Sequence, residues 1–355
     1  MFMEFNKLIL KWYDNNKRDL PWRKTKNPYN IWLSEIILQQ TRMEQGIYYY
    51  DRFISKFPSL ESLAKSNEKD VLLLWQGLGY YSRARNLHHT AKFIFFELDS
   101  KFPSTYAELI KLKGIGDYTA SAISSISFEK KQPVLDGNVF RIISRIFEIK
   151  DPIDIHSSRK LFKEKVNELM PSSRYGDYNQ GLMDFGSLVC KPKNPLCSTC
   201  MISNKCIAYK NKVVELFPKK AKKTKIRTLY FEYLLVKNNN QILIERIDEG
   251  IWKNLYQFPV NISSTKKNKK EITKFFLDKF NLEYLNLKQI NSEFIEHKLS
   301  HIYIKSNFWV TNQKIPIKEG LFTTLLDDYP MSKLMHKFIK KYKAKLALSE
   351  LKMVN

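Results

Sequence analysis

All four cysteines of this 355-residue chain lie between positions 190 and 206. Cys190, Cys197, Cys200 and Cys206 are separated by six, two and five residues. Disulfide partners would be scattered along the chain, so this clustering points to a reduced compartment and a metal site. Four thiolates in so short a segment can surround one compact inorganic centre, which is either tetrahedral zinc or a [4Fe–4S] cluster. A zinc ribbon pairs two CxxC knuckles, and this chain has one. Lys191, Lys193 and Lys205 lie in the same loop and present positive charge beside whatever the thiols hold.

Around this loop the hydrophobic pattern divides the chain in two. Up to about residue 210, apolar residues recur at intervals of three and four, which predicts helices over 5–13, 31–42, 83–96, 119–127, 139–147 and 159–170. A lysine-rich stretch over 211–227 reads as a solvated basic linker. Beyond it, 230–237 and 241–246 are β-rich runs split by three asparagines, a hairpin signal. Segments 250–260 and 302–311 add strands, and 272–280 and 332–345 read as helices. The fold class expected is a mainly α N-terminal domain over 1–210 and a smaller α+β domain over 228–345, with a tail over 346–355.

Lys and Arg number 60 against 36 Asp and Glu, a formal charge of +24. A polyanion such as nucleic acid or an anionic membrane suits that balance, although a lysine-rich proteome produces it too. No apolar run approaches the ~18 residues that span a bilayer. The first residues lack the features of a signal peptide, so a cytoplasmic protein is expected.

Three segments carry candidate chemistry. Gly114 and Gly116 lie between two helical stretches, where glycine permits a tight turn and exposed N–H groups at a helix start suit a phosphate oxygen. Glu35 sits among Ile, Trp and Leu on a predicted helix, where burial would raise its pKa and make it a proton donor; the plain alternative is an exposed glutamate. Asp136 directly precedes a helical run, where a helix start favours the carboxylate; the plain alternative is an ordinary N-cap. A neutral acid and an ionised carboxylate are the pair that cleavage of a glycosidic bond requires.

The strings LPWR (20–23), WLSEIILQQTR (32–42), WQGLGYYSRARNLH (75–88), LKGIGDYTASAI (112–123) and LDGNVFRI (135–142), followed by the cysteine loop, together resemble the MutY-type adenine DNA glycosylases. These belong to the endonuclease III, or helix-hairpin-helix, superfamily. The resemblance covers nearly all of the first 210 residues and continues more weakly to the end. It implies a helix-hairpin-helix over 112–123 and a [4Fe–4S] cluster on the four cysteines. It also implies base excision repair: hydrolysis of the bond to an adenine mispaired with 8-oxoguanine or guanine in double-stranded DNA. By the same resemblance Glu35 protonates the flipped adenine, Asp136 stabilises the sugar cation, and Asn138 and Tyr118 support them. Arg23 and Gln180 contact the adenine, Gln40, Thr41 and Tyr80 line the gap or wedge the opposite strand, and Gly114 and Gly116 hold phosphate. The enzyme is expected to be a monomer.

Endonuclease III-type lyases carry a lysine where this chain has Tyr118, and a phenol cannot form a Schiff base. A monofunctional glycosylase is therefore expected. Two other readings are a bifunctional glycosylase/lyase acting on oxidised pyrimidines and a non-catalytic iron–sulfur DNA-binding protein. The C-terminal region resembles the Nudix-like oxidised-guanine recognition domain of the same family. There Ser300 and His301 match the lesion-contacting loop, whereas Leu299 replaces its phenylalanine. The segment after Pro259 lacks the glutamate-rich helix of a working Nudix hydrolase.

Overall fold

A computed structural model describes residues 4–221, 226–316 and 320–342. The chain forms two compact units, one of residues 1–65 and 86–223, the other of 66–85 and 224–355. Residues 66–85, which sequence alone assigns to the helical domain, thus pack with the C-terminal unit.

Among the described residues twelve helices precede the linker: α1 Phe5–Asn16, α2 Pro28–Leu38, α3 Met43–Lys56, α4 Leu60–Ala64, α5 Glu68–Trp75, α6 Ser82–Glu97, α7 Tyr106–Leu109, α8 Asp117–Phe128, α9 Gly137–Phe147, α10 His156–Glu168, α11 Tyr175–Leu188 and α12 Ile207–Lys210. In the first unit α2 is the central element. Asn27 caps it by accepting from the Tyr29 N–H, and Pro28 occupies its first position, where its missing N–H costs nothing. Every residue from Ile31 to Ile37 is buried, Ser34 and Glu35 included. A helix buried on all sides is a core helix. It packs against α3 and α8.

α9 supplies the second core. Val139, Ile142 and Ile143 meet Phe5 and Ile9 of α1, Phe162 and Val166 of α10, and Leu182 and Phe185 of α11. Each such side chain contributes about 1.5–3 kcal/mol on burial. Cys190 and Cys200 pack against this cluster, so the cysteine loop rests on a rigid floor.

The second unit is a mixed sheet built from β1 Arg227–Asn238, β2 Gln241–Arg246, β3 Tyr256–Gln257, β4 Val260–Ser263, β5 Lys288–Gln289, β6 Ile295–Lys298, β7 Ile302–Thr311 and β8 Leu321–Thr323. Its central pair, β1 and β7, runs parallel over ten positions from Arg227↔Ile302 to Val236↔Thr311. Asn238 pairs with Gln241, leaving Asn239-Asn240 as a two-residue turn with Asn239 left-handed, as the asparagine run predicts. Helix α13, Lys269–Phe280, buries Ile272, Phe276 and Phe280 against Leu234, Val236 and Leu243. Helix α14, Lys333–Tyr342, stacks Phe338 on Phe308 with ring centroids 3.7 Å apart. Residues 66–85 join this unit through polar contacts: Tyr81 donates to the Met331 carbonyl at 3.1 Å, and Gln76 accepts from the Met331 N–H at 3.0 Å.

Three expectations are corrected. The helix predicted over 31–42 ends at Leu38, because Gln40 turns left-handed at φ 55°. The segment 250–260 contains turns and two short strands, β3 and the start of β4, rather than one strand. The part of the basic linker that is described is docked, not free: Ile153 N–H donates to the Lys219 carbonyl at 3.1 Å, and the Ala221 N–H to Asp154 at 2.9 Å. Positions 343–345 of the predicted last helix and the tail over 346–355 lie outside the described residues. No helix among the described residues is long and apolar enough to cross a membrane.

Candidate active site

The first unit brings Glu35, Tyr118, Asp136, Asn138 and Arg23 into one electrostatic neighbourhood. Glu35 projects from the middle of α2 and is 6% exposed. Burial pushes its carboxyl up to about 7; a hydrogen bond from Tyr118 and the nearby Arg23 charge oppose this, and the Asp136 charge adds to it. Tyr118, one residue into α8, is held well above its ordinary range by burial and by both carboxylates. Its hydroxyl also lies 3.4 Å from the Met183 sulfur. At neutral pH, then, a protonated phenol faces a carboxyl group poised to hold or give a proton.

Asp136 caps α9 as its position predicts. Its Oδ1 accepts from the N–H groups of Asn138 at 2.9 Å and Val139 at 2.7 Å, and its Oδ2 accepts from Asn138 Nδ2 at 2.7 Å. The expected consequence is corrected in one respect: burial outweighs these donors and raises the Asp136 carboxyl above its ordinary value. The three donors still favour the ionised form and fix the carboxylate's orientation. Asn138 is held in turn by Arg141, whose NH2 donates to Asn138 Oδ1 at 2.8 Å and to the Gly186 carbonyl at 2.6 Å.

Arg23 does not stand free. Its NH1 and NH2 donate to the two oxygens of Asp184 at 2.6 and 3.0 Å, and Arg18 grips the same carboxylate. Burial alone would raise Asp184, but Arg23 and Arg18 bring it below the ordinary carboxylate value. Gln180, one turn earlier on α11, bonds weakly to the Gly176 carbonyl at 3.4 Å.

In the glycine turn, Gly114 has φ 82°, and a Cβ there would lie 2.5 Å from Asn86 Cβ, so both conformation and space demand glycine. Gly116, with φ −92°, is in a region any residue adopts, which corrects its assigned part in the turn. Nothing lies within 4 Å of its missing Cβ, so the backbone at the start of α8 stays open to a partner. Asp117, at that helix start, is occupied by Tyr106 at 2.7 Å and Lys163 at 2.9 Å. Gln40 is exposed and Thr41 half-buried on the turn that ends α2.

The four thiols line one apolar cavity with Ile142, Ile146 and Phe185, and no carboxylate or imidazole borders it. Burial raises Cys197, Cys200 and Cys206, with Cys200 pushed to about 11, and the charge of neighbouring thiols adds to each. Among the described residues no three His, Cys, Asp or Glu side chains are gathered tightly enough to share a single metal ion. An all-thiol donor set around an apolar opening fits a larger sulfur-bridged centre. Arg145, 1% exposed, donates to Cys190 Sγ at 3.3 Å and to the Lys191 carbonyl at 2.7 Å. Arg141 Nε reaches the Cys190 carbonyl at 2.7 Å, so one guanidinium spans from the cysteine loop to Asn138.

The remaining site candidates belong to the second unit. Leu299 N–H donates to the Ile302 carbonyl at 2.8 Å, closing the β6–β7 hairpin with Ser300 and His301 exposed at its tip. Tyr80, itself 48% exposed, is hydrogen-bonded through its hydroxyl to Ser300 Oγ.

The HhH-GPD superfamily base excision DNA repair protein family matches residues 33–168. An adenine DNA glycosylase of Buchnera aphidicola subsp. Schizaphis graminum is 43% identical over 278 residues, covering 76% of this chain and 80% of that protein. This chain belongs to the adenine DNA glycosylase family. Its relative from Buchnera aphidicola subsp. Baizongia pistaciae is 38% identical over 319 residues, with 88% of each chain covered. Among solved structures, a thermostable thymine-DNA glycosylase superposes with a TM-score of 0.54 at 29% identity, covering 59% of this chain and 96% of its own. An endonuclease III–DNA complex gives 0.50 at 18% identity, covering 58% and 94%, a likeness of fold alone.

Sequence reasoning did not select Asp184, Arg18, Arg141, Arg145 or Lys163 in this family member. Asp184 carried the signal that picked out Glu35: a carboxylate inside an apolar helix. Arg141 and Arg145 stand four apart on α9 and therefore share one face.

Glu35 also makes a stability prediction. Its folded value of about 7 lies above the ordinary 4.5, so the unfolded chain ionises first. Stability is full below about 4.5 and falls as pH rises towards 7, by about 3 kcal/mol. Glu35→Gln should therefore melt at a higher temperature than the parent at pH 8 and lose that advantage near pH 4.5, as thermal denaturation followed by circular dichroism will read.

Proposed function

We propose that this chain excises adenine mispaired with 8-oxoguanine or guanine from double-stranded DNA, as a monofunctional, monomeric glycosylase. The observation that carries this reading is a buried, proton-holding Glu35 on which the charge of the donor-fixed Asp136 acts. Extruding the base costs a few kcal/mol of unstacking. Glu35 gives its proton to adenine N7, the N-glycosidic bond breaks, and its electron pair leaves with the base. Asp136 stabilises the positive sugar, and water then adds to the anomeric carbon, giving its proton to the Glu35 carboxylate. Tyr118 and Asn138 hold the two carboxyl groups in place. Arg23 and Gln180 face the base, which Arg23 meets while held by Asp184.

Open N–H groups at the start of α8 receive phosphate, with Gln40 and Thr41 at the gap left by the base. Tyr80, Ser300 and His301 recognise the oxidised guanine. The four cysteines hold a [4Fe–4S] cluster, which gives the loop its shape; a cytoplasmic setting keeps those thiols reduced. Roughly four iron atoms per chain are expected on analysis.

The test is incubation of purified protein with duplexes holding adenine opposite 8-oxoguanine, guanine and thymine. Adenine release from the first two alone is expected; release from none, or equally from all three, overturns the reading. Single-turnover rates should fall as pH rises through about 7, where Glu35 loses its proton, and fall again in acid as Asp136 gains one. Borohydride should trap no covalent complex, since Tyr118 supplies no amine; efficient trapping would favour the lyase.

A further inference from the structure

One face of the sheet in the second unit is covered at one end and open at the other. Alternate residues of a strand share a face. Thr228, Tyr230, Glu232 and Leu234 of β1 therefore look the same way as Tyr303, Lys305, Asn307 and Trp309 of β7, to which they pair one for one. Helix α13 packs on Leu234, Val236 and Trp309. At the next level Glu232 is buried, accepting from Asn307 Nδ2 at 3.1 Å and Trp309 Nε1 at 2.7 Å. Beyond it Tyr230, Tyr303 and Lys305 are only half-buried, and Glu296 and Lys298 of β6 are exposed.

Rings and ammonium groups interleave on this open end. Glu296 pairs with Lys305 and Lys298 with Tyr303, so all four share the face. Phe294, two residues before Glu296, meets Tyr230 edge to face with centroids 5.9 Å apart. Lys305 Nζ lies 5.7 Å from the Tyr303 centroid and 5.8 Å from that of Phe294. Lys298 Nζ is 5.3 Å from Tyr303, and Lys266 Nζ, from the segment between β4 and α13, is 5.6 Å from Phe294. Glu296 is the acidic group on this face, and it accepts from the Tyr303 hydroxyl.

This mixture selects its ligand. Three ammonium groups against one carboxylate favour a polyanion, and the rings favour flat partners. Bases in a duplex stack on one another and show only their edges in the grooves, so rings on a sheet face reach unpaired bases alone. An exposed ammonium over a ring is worth about a twofold to fivefold preference, whereas a base on the same ring is worth about fivefold to 150-fold. A base therefore displaces the lysine, which is left to meet the neighbouring phosphate. Sheet faces carrying two or three rings stack two or three unpaired bases in this way. Cross-strand pairs also steady a sheet by themselves, but that role alone would leave binding unchanged when a ring is removed.

We propose that the open end of this face, formed by Tyr230, Phe294 and Tyr303 with Lys266, Lys298 and Lys305, binds single-stranded DNA, its bases on the rings and its phosphates on the lysines. These side chains lie on the strands and their flanking segments, apart from Ser300 and His301 at the hairpin tip. Only the choice of DNA rests on the excision reading above.

The test uses full-length protein and a fluorescent thymidine oligomer of about twelve nucleotides. Replacing its thymidines with 5-iodouracil nucleotides and irradiating should crosslink the oligomer to Tyr230, Phe294 or Tyr303, as peptide mapping by mass spectrometry will read. By anisotropy, Phe294→Ala should weaken binding at least about fivefold, Phe294→Tyr should restore it, and excision from a mispaired duplex should stay within about twofold of the parent. Phe294→Leu keeps the apolar bulk without the ring, and should fail like alanine even where Phe294→Ala folds poorly. Lys266→Ser should make the dependence of log affinity on log salt shallower by about 0.7. Crosslinks confined to the first unit, an abasic oligomer bound as tightly as the thymidine one, undiminished binding by Phe294→Leu, or displacement by polyglutamate at matched ionic strength would each overturn the proposal. Tighter binding of the matching ribo-oligomer would overturn the choice of DNA. A protein that crosslinks at these rings yet excises no adenine would sink the excision reading and leave the stacking site standing.

Discussion

Glu35→Gln should release adenine about 10²–10⁴-fold more slowly in single turnover, with affinity for the mispaired duplex unchanged to within a few-fold. Glutamine keeps the size and polarity of the side chain, so the packing of α2 survives. What disappears is the transferable proton, together with the carboxylate that must later accept one from water. The variant also separates the enzyme from a non-catalytic iron–sulfur DNA-binding protein, which would have no use for a proton-holding acid at this place. Binding by fluorescence anisotropy and excision by strand analysis, on the same preparation, give the two halves of the answer. An unchanged excision rate would remove Glu35 from the chemistry whatever its burial.

The second large effect is structural. Arg145 donates from Nε to the Val214 and Phe217 carbonyls at 3.0 and 3.3 Å, from NH1 to Lys191 at 2.7 Å, and from NH2 to Pro192 at 3.2 Å. One buried guanidinium thus ties the cysteine loop to the linker and both to α9. Arg145→Ala should leave several carbonyls without donors beside a cavity, at a cost of about 4 kcal/mol or more. The melting temperature should fall by on the order of 10 °C, and bound iron should be lost with it. Arg145→Lys should rescue little, because an ammonium cannot reproduce a planar fork with several donors. A melting temperature within about 2 °C of the parent, with full iron content, would show that the loop holds itself.

Much of the candidate carboxylate pair was legible in the residues because local chemistry announces it. Asp136 directly before a helical run reads as a cap, and it caps α9 through Asn138 and Val139. Glu35 in an apolar helix reads as a candidate for burial, yet the residues alone favour an exposed glutamate on an amphipathic face, and only the structure shows α2 buried from Ile31 to Ile37. The sign of the shift at Asp136 was not legible. Capping donors are local and visible in sequence, whereas the burial that outweighs them comes from elements far along the chain. Arg23 shows the same limit: its partner Asp184 lies 161 residues away.

The sequence by itself determined the helix and strand periodicities, the hairpin at Asn239-Asn240, the single cysteine loop and the absence of an amine at position 118. Each is a property of neighbouring residues, where spacing and side-chain type carry the outcome; the end of α2 and the folding of 250–260 were not settled that way. Only the tertiary structure decided that residues 66–85 join the C-terminal unit, that Arg23 and Arg18 share one carboxylate, and that Arg141 and Arg145 stitch the cysteine loop to α9. Those outcomes depend on which distant groups meet and how much water they exclude. Desolvation and long-range pairing are set by the whole packed chain rather than by any segment of it.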